Sequence, residues 1–501
     1  MRLVLAVLVA STGCAQLFGI DETTSADANS NFATVQVQKI SIGASVLKTP
    51  LDVSNQMATF YDDTAGTLAP LPGVQVGLDT FIADAPGNPS TIYTVPDVQV
   101  PTRMAALPAR AQRANYVEFE HSSPQDALPS SALMLSITLP SVYTILAPAA
   151  ETFTMQAIGA WMTHNLVAAE LPLPDMAMST ISTTLQWSAF TAMVAGNPKV
   201  RMTSADVLLL VRYTDCIAPC ANKLSGVFQA QFDQTDGVDP VSGTMTAVQA
   251  NSMLMATIDP NGYTTRFAAV RPAVAGLSQS WRVDAAPGWS LGAATGVRLV
   301  SGTAAVTDTA VTSSFGNPFE SLDWNGVFTF STSSSRSYAY SEGGMMASVP
   351  LTASMTTLSE PSTSLAITMP AGLPITVEAN EQILVTDGMT LPLDLTKPVV
   401  IEATLDRPTN TAYQLTLVEL GLDTTGMTPL VTKRIVLEAM TAGAPRFKLP
   451  PELFTVGKSY YVNFRAFQGG VVNAADGDLQ TIMLPYSLAS LDSAVFTVGM
   501  P

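Results

Sequence analysis

Ser290 lies in a sequence pattern that can carry nucleophilic catalysis. The pentapeptide at 288–292, GWSLG, matches the pattern G-x-S-x-G, in which a strained turn exposes the serine and a later histidine accepts its proton. His121 and His164 both precede the serine, and no helical pattern follows it. Because this context is missing, the sequence predicts a turn residue at Ser290.

His164, Asp215 and Ser290 also occur in an order used by one class of catalytic triad, although geometry rather than order defines a triad. The expected Gly-Asp-Ser-Gly setting is missing around Ser290, and His164 fits the polar end of a strand. A histidine acts as a base only when a partner orients it. We therefore expect His121 and His164 to be structural, and we predict no catalytic residue.

Cys216 and Cys220 are separated by three residues. In an oxidising compartment such a pair forms a disulfide, which would close a short loop and stabilise one turn by about 2 kcal/mol. A zinc site needs further ligands, and a redox pair has two intervening residues followed by a helix. The spacing therefore favours a Cys216–Cys220 disulfide.

Methionine pairs and aspartate clusters are the other candidate metal ligands. Thioethers bind reduced copper, but two methionines on one face of a strand are more typical of core packing. The aspartates match no complete calcium loop and are typical of solvated turns. Carboxylate pairs for sugar hydrolysis depend on spatial separation and stay open. No metal or cofactor is predicted. The positions are Met176 and Met178, Met253 and Met255, Asp233, Asp236 and Asp239, and Asp476 and Asp478.

Cys14 follows a segment with the features of an export signal. A basic residue, Arg2, precedes the apolar run 3–10 and the small residues 11–13, and the stretch is too short to span a bilayer permanently. The sequence Thr-Gly-Cys at 12–14 resembles the lipobox of bacterial lipoproteins, from which Ser11 departs. The resemblance implies cleavage before Cys14 and lipidation of Cys14, which would anchor the chain in a membrane. Ordinary secretion with cleavage nearby is the alternative.

Composition restricts the classes of partner. The chain has 501 residues, of which 47% are hydrophobic and 13% are charged, and its net charge is −17. Such a chain can bury substantial cores, and its length suggests about three domains. The negative charge repels phosphate backbones, so nucleic acid is not a predicted partner.

Short segments with period-two alternation, separated by proline and glycine, predict a mostly β protein with little helix. Leu224 to Asp233 is an example. The segments 253–258 and 263–270 flank Asp-Pro-Asn-Gly at 259–262, which predicts a hairpin turn.

The predicted fold class is all-β, with several β-sandwiches after a signal peptide and a flexible tether. Residues 101–115 carry arginines among alanines and predict a short helical connector. The central region fits either one or two domains. The predicted units are the signal peptide at 1–13, the lipidated cysteine and tether at 14–31, a small sandwich at 32–100, a central β region at 116–359 and a final sandwich at 366–501.

The final unit has the clearest pattern. Leu-Pro-Pro at 449–451 leads through Gly457 to a strand in which Tyr460 begins the apolar face, and Asn463 and Arg465 lie on the other. This resembles a late strand of fibronectin type III and related immunoglobulin-like sandwiches, whose tyrosine hydroxyl bonds back to the chain. The early tryptophan of that family has no match here. The further predicted strands are 399–405, 413–420, 432–437 and 494–498.

These features predict an exported cell-envelope lipoprotein, anchored through Cys14 at the outer membrane or cell surface. We expect it to be non-enzymatic and to present β-sandwiches for binding, adhesion or a structural role. An extracellular or periplasmic protein or glycan is the expected ligand, bound on loops or on an exposed sheet face. The alternative is an exported hydrolase of polysaccharide that uses unidentified carboxylates.

Overall fold

A computed structural model describes parts of the chain from residue 32 to its last residue, and these parts are mostly β-strand. The described residues are 32–42, 46–50, 59–62, 69–78, 80–84, 92–95, 102–106, 111–119, 132–138, 151–157, 162–166, 170, 180–192, 207–215, 220–231, 241–249, 252–258, 260–274, 280–287, 296–303, 309–319, 326–367, 369–408, 410–426, 428–442, 444–469, 471–473, 478–482 and 484–501.

The strands are numbered in chain order. The first nine are β1 Phe32–Ile42, β2 Val46–Pro50, β3 Thr59–Asp62, β4 Ala69–Pro72, β5 Val74–Val76, β6 Thr80–Asp84, β7 Ile92–Val95, β8 Thr102–Ala106 and β9 Ala111–Phe119. The central strands are β10 Ala132–Thr138, β11 Glu151–Ala157, β12 Met162–Asn165, β13 Thr180–Gln186, β14 Thr191–Ala192, β15 Val207–Asp215, β16 Cys220–Gln231, β17 Val241–Ala247, β18 Leu254–Ile258, β19 Ser280–Pro287, β20 Val297–Thr303, β21 Thr309–Ser313, β22 Gly326–Glu342 and β23 Met345–Ser359. The last strands are β24 Ser364–Ile367, β25 Pro374–Ala379, β26 Gln382–Ile383, β27 Met389–Pro392, β28 Val399–Leu405, β29 Ala412–Asp423, β30 Leu430–Ala442, β31 Arg446–Leu449, β32 Ser459–Gln468, β33 Val471–Asn473, β34 Asp478–Ile482, β35 Tyr486–Asp492 and β36 Phe496–Gly499. The predicted all-β class is confirmed.

One large sheet carries most of the described architecture. Its strands follow the order β15, β16, β20, β19, β22, β23, β35, β32, β29 and β30, and each neighbouring pair is antiparallel. Strand β8 then adds to β30 in parallel. Strands distant in sequence therefore become neighbours in the sheet.

Two smaller sheets cover one face of the large sheet. They have the orders β21-β18-β24 and β26-β25-β28-β31. A continuous apolar core runs between the layers and includes side chains such as Trp281, Phe330, Ile401 and Phe464, each of which is buried. This layered packing is that of a β-sandwich. The opposite face of the large sheet is called the outer face below.

A helix, α1 (Pro260–Ala268), occupies the place of the predicted hairpin turn, so that prediction was wrong. Pro260 is the first residue of the helix, where its fixed φ and missing N–H are favourable. Tyr263 and Phe267, one helical turn apart, both pack into the core, and the Tyr263 ring lies 6.4 Å from that of Phe330. Burial of this apolar pair favours the helix over a turn.

The predicted helical connector at 101–115 is wrong for the described part of this segment, because residues 102–106 form β8 and residues 111–115 belong to β9. Strand β8 pairs with β30, and β9 pairs in parallel with β1. The helix-favouring alanines are therefore overridden by pairing with strands elsewhere in the chain.

The hairpin of β22 and β23 extends beyond the large sheet as a long arm. Its turn places Gly343 and Gly344 at φ of 59° and 81°, a conformation that glycine adopts without strain. In the distal half of the arm, Val349 and Leu351 pack with Val418 and Tyr461 in a second apolar cluster. This cluster covers one end of the outer face.

The predicted strands of the last unit are confirmed. Strand β28 has the predicted bounds, and β32 has the predicted alternation, with Tyr460 in the core. The Thr455 backbone N–H donates to the Tyr460 hydroxyl at 3.0 Å, and that hydroxyl donates to Glu419 at 3.4 Å. The hydroxyl therefore bonds back to the chain five residues upstream.

Two arginines join residues before position 360 to residues after position 366. The Arg266 guanidinium, from α1, pairs with Asp406 and also donates to the carbonyls of Met369 and Ala371. The Arg336 guanidinium, from β22, pairs with Asp387. The apolar core and the β23–β35 pairing also cross the predicted boundary between 359 and 366.

Candidate functional site

The outer face carries two adjacent rows of polar side chains. In β32, Asn463 and Arg465 alternate with core residues and so point to this face. Register places similar side chains beside them on four neighbouring strands. We call these ten residues the polar face: Ser333, Ser354, Ser490, Arg465 and Gln414 in one row, and Ser335, Thr352, Asp492, Asn463 and Thr416 in the other.

A chain of side-chain hydrogen bonds links the strands of the polar face. The Asp492 carboxylate accepts from the backbone N–H of Thr352 at 2.7 Å and from the Asn463 amide at 2.8 Å. The Asn463 Oδ1 atom accepts from Arg465 Nε at 2.8 Å, and Arg465 Nη1 donates to Gln414 at 3.4 Å. These bonds hold the polar groups in fixed orientations across β23, β35, β32 and β29.

The polar face is electrically balanced, because Asp492 and Arg465 carry its one negative and one positive charge. Asp492 and Ser490 are buried, whereas Asn463, Arg465 and Gln414 are half-buried. Burial raises the pKa of the nearby Tyr486, and Arg465 acts to lower it. The face therefore presents neutral donors and acceptors around two opposite charges that Asn463 bridges, which suits an uncharged polar ligand.

Asp284 on β19 is a further polar residue of the outer face, and its carboxyl group is buried. Its side chain is 2% exposed, and burial raises its pKa to about 6 against the opposing effect of Arg282 and Arg298. Arg282 Nε lies 2.9 Å from Asp284 Oδ2. A buried carboxyl group with a shifted pKa occurs both at functional sites and in structural ion pairs.

His164 does have an orienting partner, which is Glu170. His164 Nε2 lies 2.9 Å from both carboxylate oxygens of Glu170, and the ring lies 5.3 Å from that of Phe190. The side chain of Asp215 and all of Ser290 lie outside the described residues, so the triad order remains a sequence hypothesis. Glu170 supplies the orienting partner that the sequence argument did not find, so the structural role of His164 stays a prediction.

Several sequence candidates lie outside the described residues, and the predictions made for them stay predictions. This group includes the lipidation site and one partner of the predicted disulfide, whose other partner, Cys220, is described only as a backbone position of β16. It also includes methionine and aspartate positions. The residues are Cys14, His121, Met176, Met178, Cys216, Asp233, Asp236, Asp239 and Asp476.

The core interpretation of the second methionine pair was wrong. Met253 and Met255 are 53% and 54% exposed, and Met255 lies on the solvent side of β18. Within the described segments, no group of three or more His, Cys, Asp or Glu side chains is placed to hold a metal ion. No helix of those segments is long and apolar enough to cross a membrane.

Sequence reasoning found part of the polar face and missed the rest. The alternation in β32 identified Asn463 and Arg465 as a polar side. Their partner Asp492 is 29 residues from Asn463 and 140 from Thr352. Ser333 and Ser335 are two residues apart on β22, and this alternation was the signal that could have identified them as further members of the polar face.

Comparison with known proteins gives no family for this chain. No protein-family model matches it, and no curated protein matches it significantly.

Proposed function

We propose that the chain is a non-enzymatic lipoprotein of the cell envelope that binds a polar partner on its outer sheet face. In this proposal Cys14 carries the lipid anchor, residues 14–31 form the tether, and the body lies outside the cytoplasm. The fibronectin type III or immunoglobulin-like character of residues 366–501 belongs to the same proposal. Its support is the tyrosine hydroxyl bond and the strand pattern around Tyr460.

The single observation that carries the binding proposal is the hydrogen-bonded polar face. Pre-oriented donors and acceptors lose little conformational entropy when a ligand binds. A sheet face of hydroxyl and amide groups around Asp492 and Arg465, which Asn463 bridges, offers neutral hydrogen bonds. A glycan or an extended polar peptide has the matching chemistry.

The anchor is tested by protease treatment of intact cells that produce wild type or the Cys14→Ser variant. Removal of the wild-type C-terminal sandwich from the cell, with release of the variant into a soluble fraction, would support a surface anchor. Protection of wild type would place the body in the periplasm. Retention of the variant in the membrane would contradict lipid anchoring.

The binding surface is tested with glycan and peptide arrays, using protein that begins at residue 32. We expect Arg465→Gln to weaken binding at least tenfold, because each lost charge-assisted hydrogen bond costs about 1.5–3 kcal/mol. Arg434→Gln is the matched control, since Arg434 is 66% exposed on β30 and outside the polar face. Equal binding by both variants would exclude the polar face, and polysaccharide cleavage would favour the hydrolase.

A further inference from the structure

Three polar residues are neighbours on the outer face, beside the polar face. Asp284 on β19 is directly opposite Arg298 on β20 and Thr329 on β22. Directly opposed residues of neighbouring strands point to the same face, with Cβ atoms about 4.5–5.5 Å apart. Thr329 also lies four residues before Ser333 on β22, so it shares the face of Ser333.

Each of these three side chains has a buried polar atom that lacks a hydrogen-bond partner in the described protein. The atoms are Asp284 Oδ2, Arg298 Nε and Thr329 Oγ1. Arg282 Nε lies 2.9 Å from Asp284 Oδ2, but this ion pair does not have hydrogen-bond geometry. Thr329 is 1% exposed and Asp284 is 2% exposed. Isolated polar atoms are rare in protein interiors because leaving them unpaired is costly.

The hydrogen-bonding chemistry of the three atoms determines which kind of molecule can bind between them. Arg298 Nε is a donor, Asp284 Oδ2 is an acceptor, and the Thr329 hydroxyl can be either. An anion would be repelled by Asp284, and a metal cation would be repelled by Arg282 and Arg298. A neutral molecule that both donates and accepts satisfies all three atoms.

We propose that Asp284, Arg298 and Thr329 hold one internal water molecule. The water accepts from Arg298 Nε, donates to Asp284 Oδ2 and forms its third hydrogen bond with the Thr329 hydroxyl. Three protein partners are the usual number for a buried water. The water would connect β20, β19 and β22 through their side chains, and this proposal is independent of the binding function proposed above.

The sign of the stability change in Thr329→Val tests the proposal. Valine has nearly the same shape as threonine, so the substitution removes the hydroxyl with little repacking. If the hydroxyl bonds to a water, we expect Tm to fall by about 1–2 °C. If the hydroxyl has no partner, replacement by a methyl group leaves Tm unchanged or raises it. Either of these last results would overturn the proposal.

Thr332→Val is the matched control, because Thr332 lies on the same strand and is 2% exposed. Its hydroxyl donates to the Ser280 carbonyl at 2.9 Å, so Tm must fall in this variant. A crystal structure that resolves ordered solvent is the second measurement. A water within about 3.2 Å of all three atoms would support the proposal, and an ion or direct protein contacts there would overturn it.

Discussion

The buried carboxyl group of Asp284 makes stability depend on pH at the scale of a single residue. Burial raises its pKa to about 6 in the folded chain, above the value of 3.8 for an unperturbed aspartate. Between these values the folded state binds more protons than the unfolded state. The free energy of unfolding should therefore increase as pH falls from 7 to 5, by about 1 kcal/mol from this group.

Chemical denaturation at pH 7 and pH 5 measures this contribution. We expect Asp284→Asn to remove it, because asparagine does not titrate. Asp394→Asn is the control: hydrogen bonds from Thr396 lower the pKa of exposed Asp394 to about 2, so it stays ionised throughout this range. An unchanged pH dependence in Asp284→Asn would show that another group is responsible.

Residues of the polar face differ in how far sequence predicts them. Asn463 and Arg465 follow from local alternation, which depends only on the geometry of one strand. The contact of Asp492 with Thr352 depends on which strands become neighbours, and no local pattern specifies that. Asp284 gives no signal either, because its burial results from packing rather than from its place in β19.

At the scale of elements, the arm formed by the distal half of β22 and β23 should open separately from the sheet. Its apolar contacts form a cluster distinct from the main core, and Leu351 is fully buried there. Leu351→Ala should cost about 2–5 kcal/mol of packing. Since this cluster is small and separate from the main core, we expect the loss to increase local opening of the arm.

Limited trypsin digestion detects that opening at Arg336, the one Lys or Arg in the segment 326–359. Its side chain is 8% exposed and is held by Asp387. We expect cleavage after Arg336 to accelerate at least tenfold in Leu351→Ala and to be unchanged in Met346→Ala, whose side chain is 66% exposed. Equal acceleration at all sites would indicate global unfolding instead.

Elements were predicted well where one signal dominates. Strand β28 has strict alternation and the predicted bounds 399–405. The segment at 259–262 has two opposing signals, because Asn-Gly favours a turn whereas proline is also favoured at the first position of a helix. Burial of Tyr263 and Phe267 in the core favours the helix over the turn. The local sequence does not show that these two side chains will pack into the core.

At the scale of the whole molecule, strands distant in sequence share one core. Strand β23 pairs with β35, and β18 pairs in parallel with β24. Arg266 and Asp406 form an ion pair between positions 140 residues apart. The predicted domain boundary between 359 and 366 depends only on local composition. The long-range pairing across it depends on the complete fold and could not be predicted from the local sequence.

This shared core predicts that damage in the last unit destabilises the residues before it. Leu415 on β29 is fully buried, so Leu415→Ala should cost about 2–5 kcal/mol. All five tryptophans precede residue 325, and Trp281 lies in the same core as Leu415. The unfolding midpoint measured by tryptophan fluorescence should therefore fall in this variant.

Leu430→Ala is the matched control, because Leu430 is 63% exposed on the neighbouring strand β30. An unchanged midpoint in Leu415→Ala would mean that residues 366–501 unfold independently of the central region.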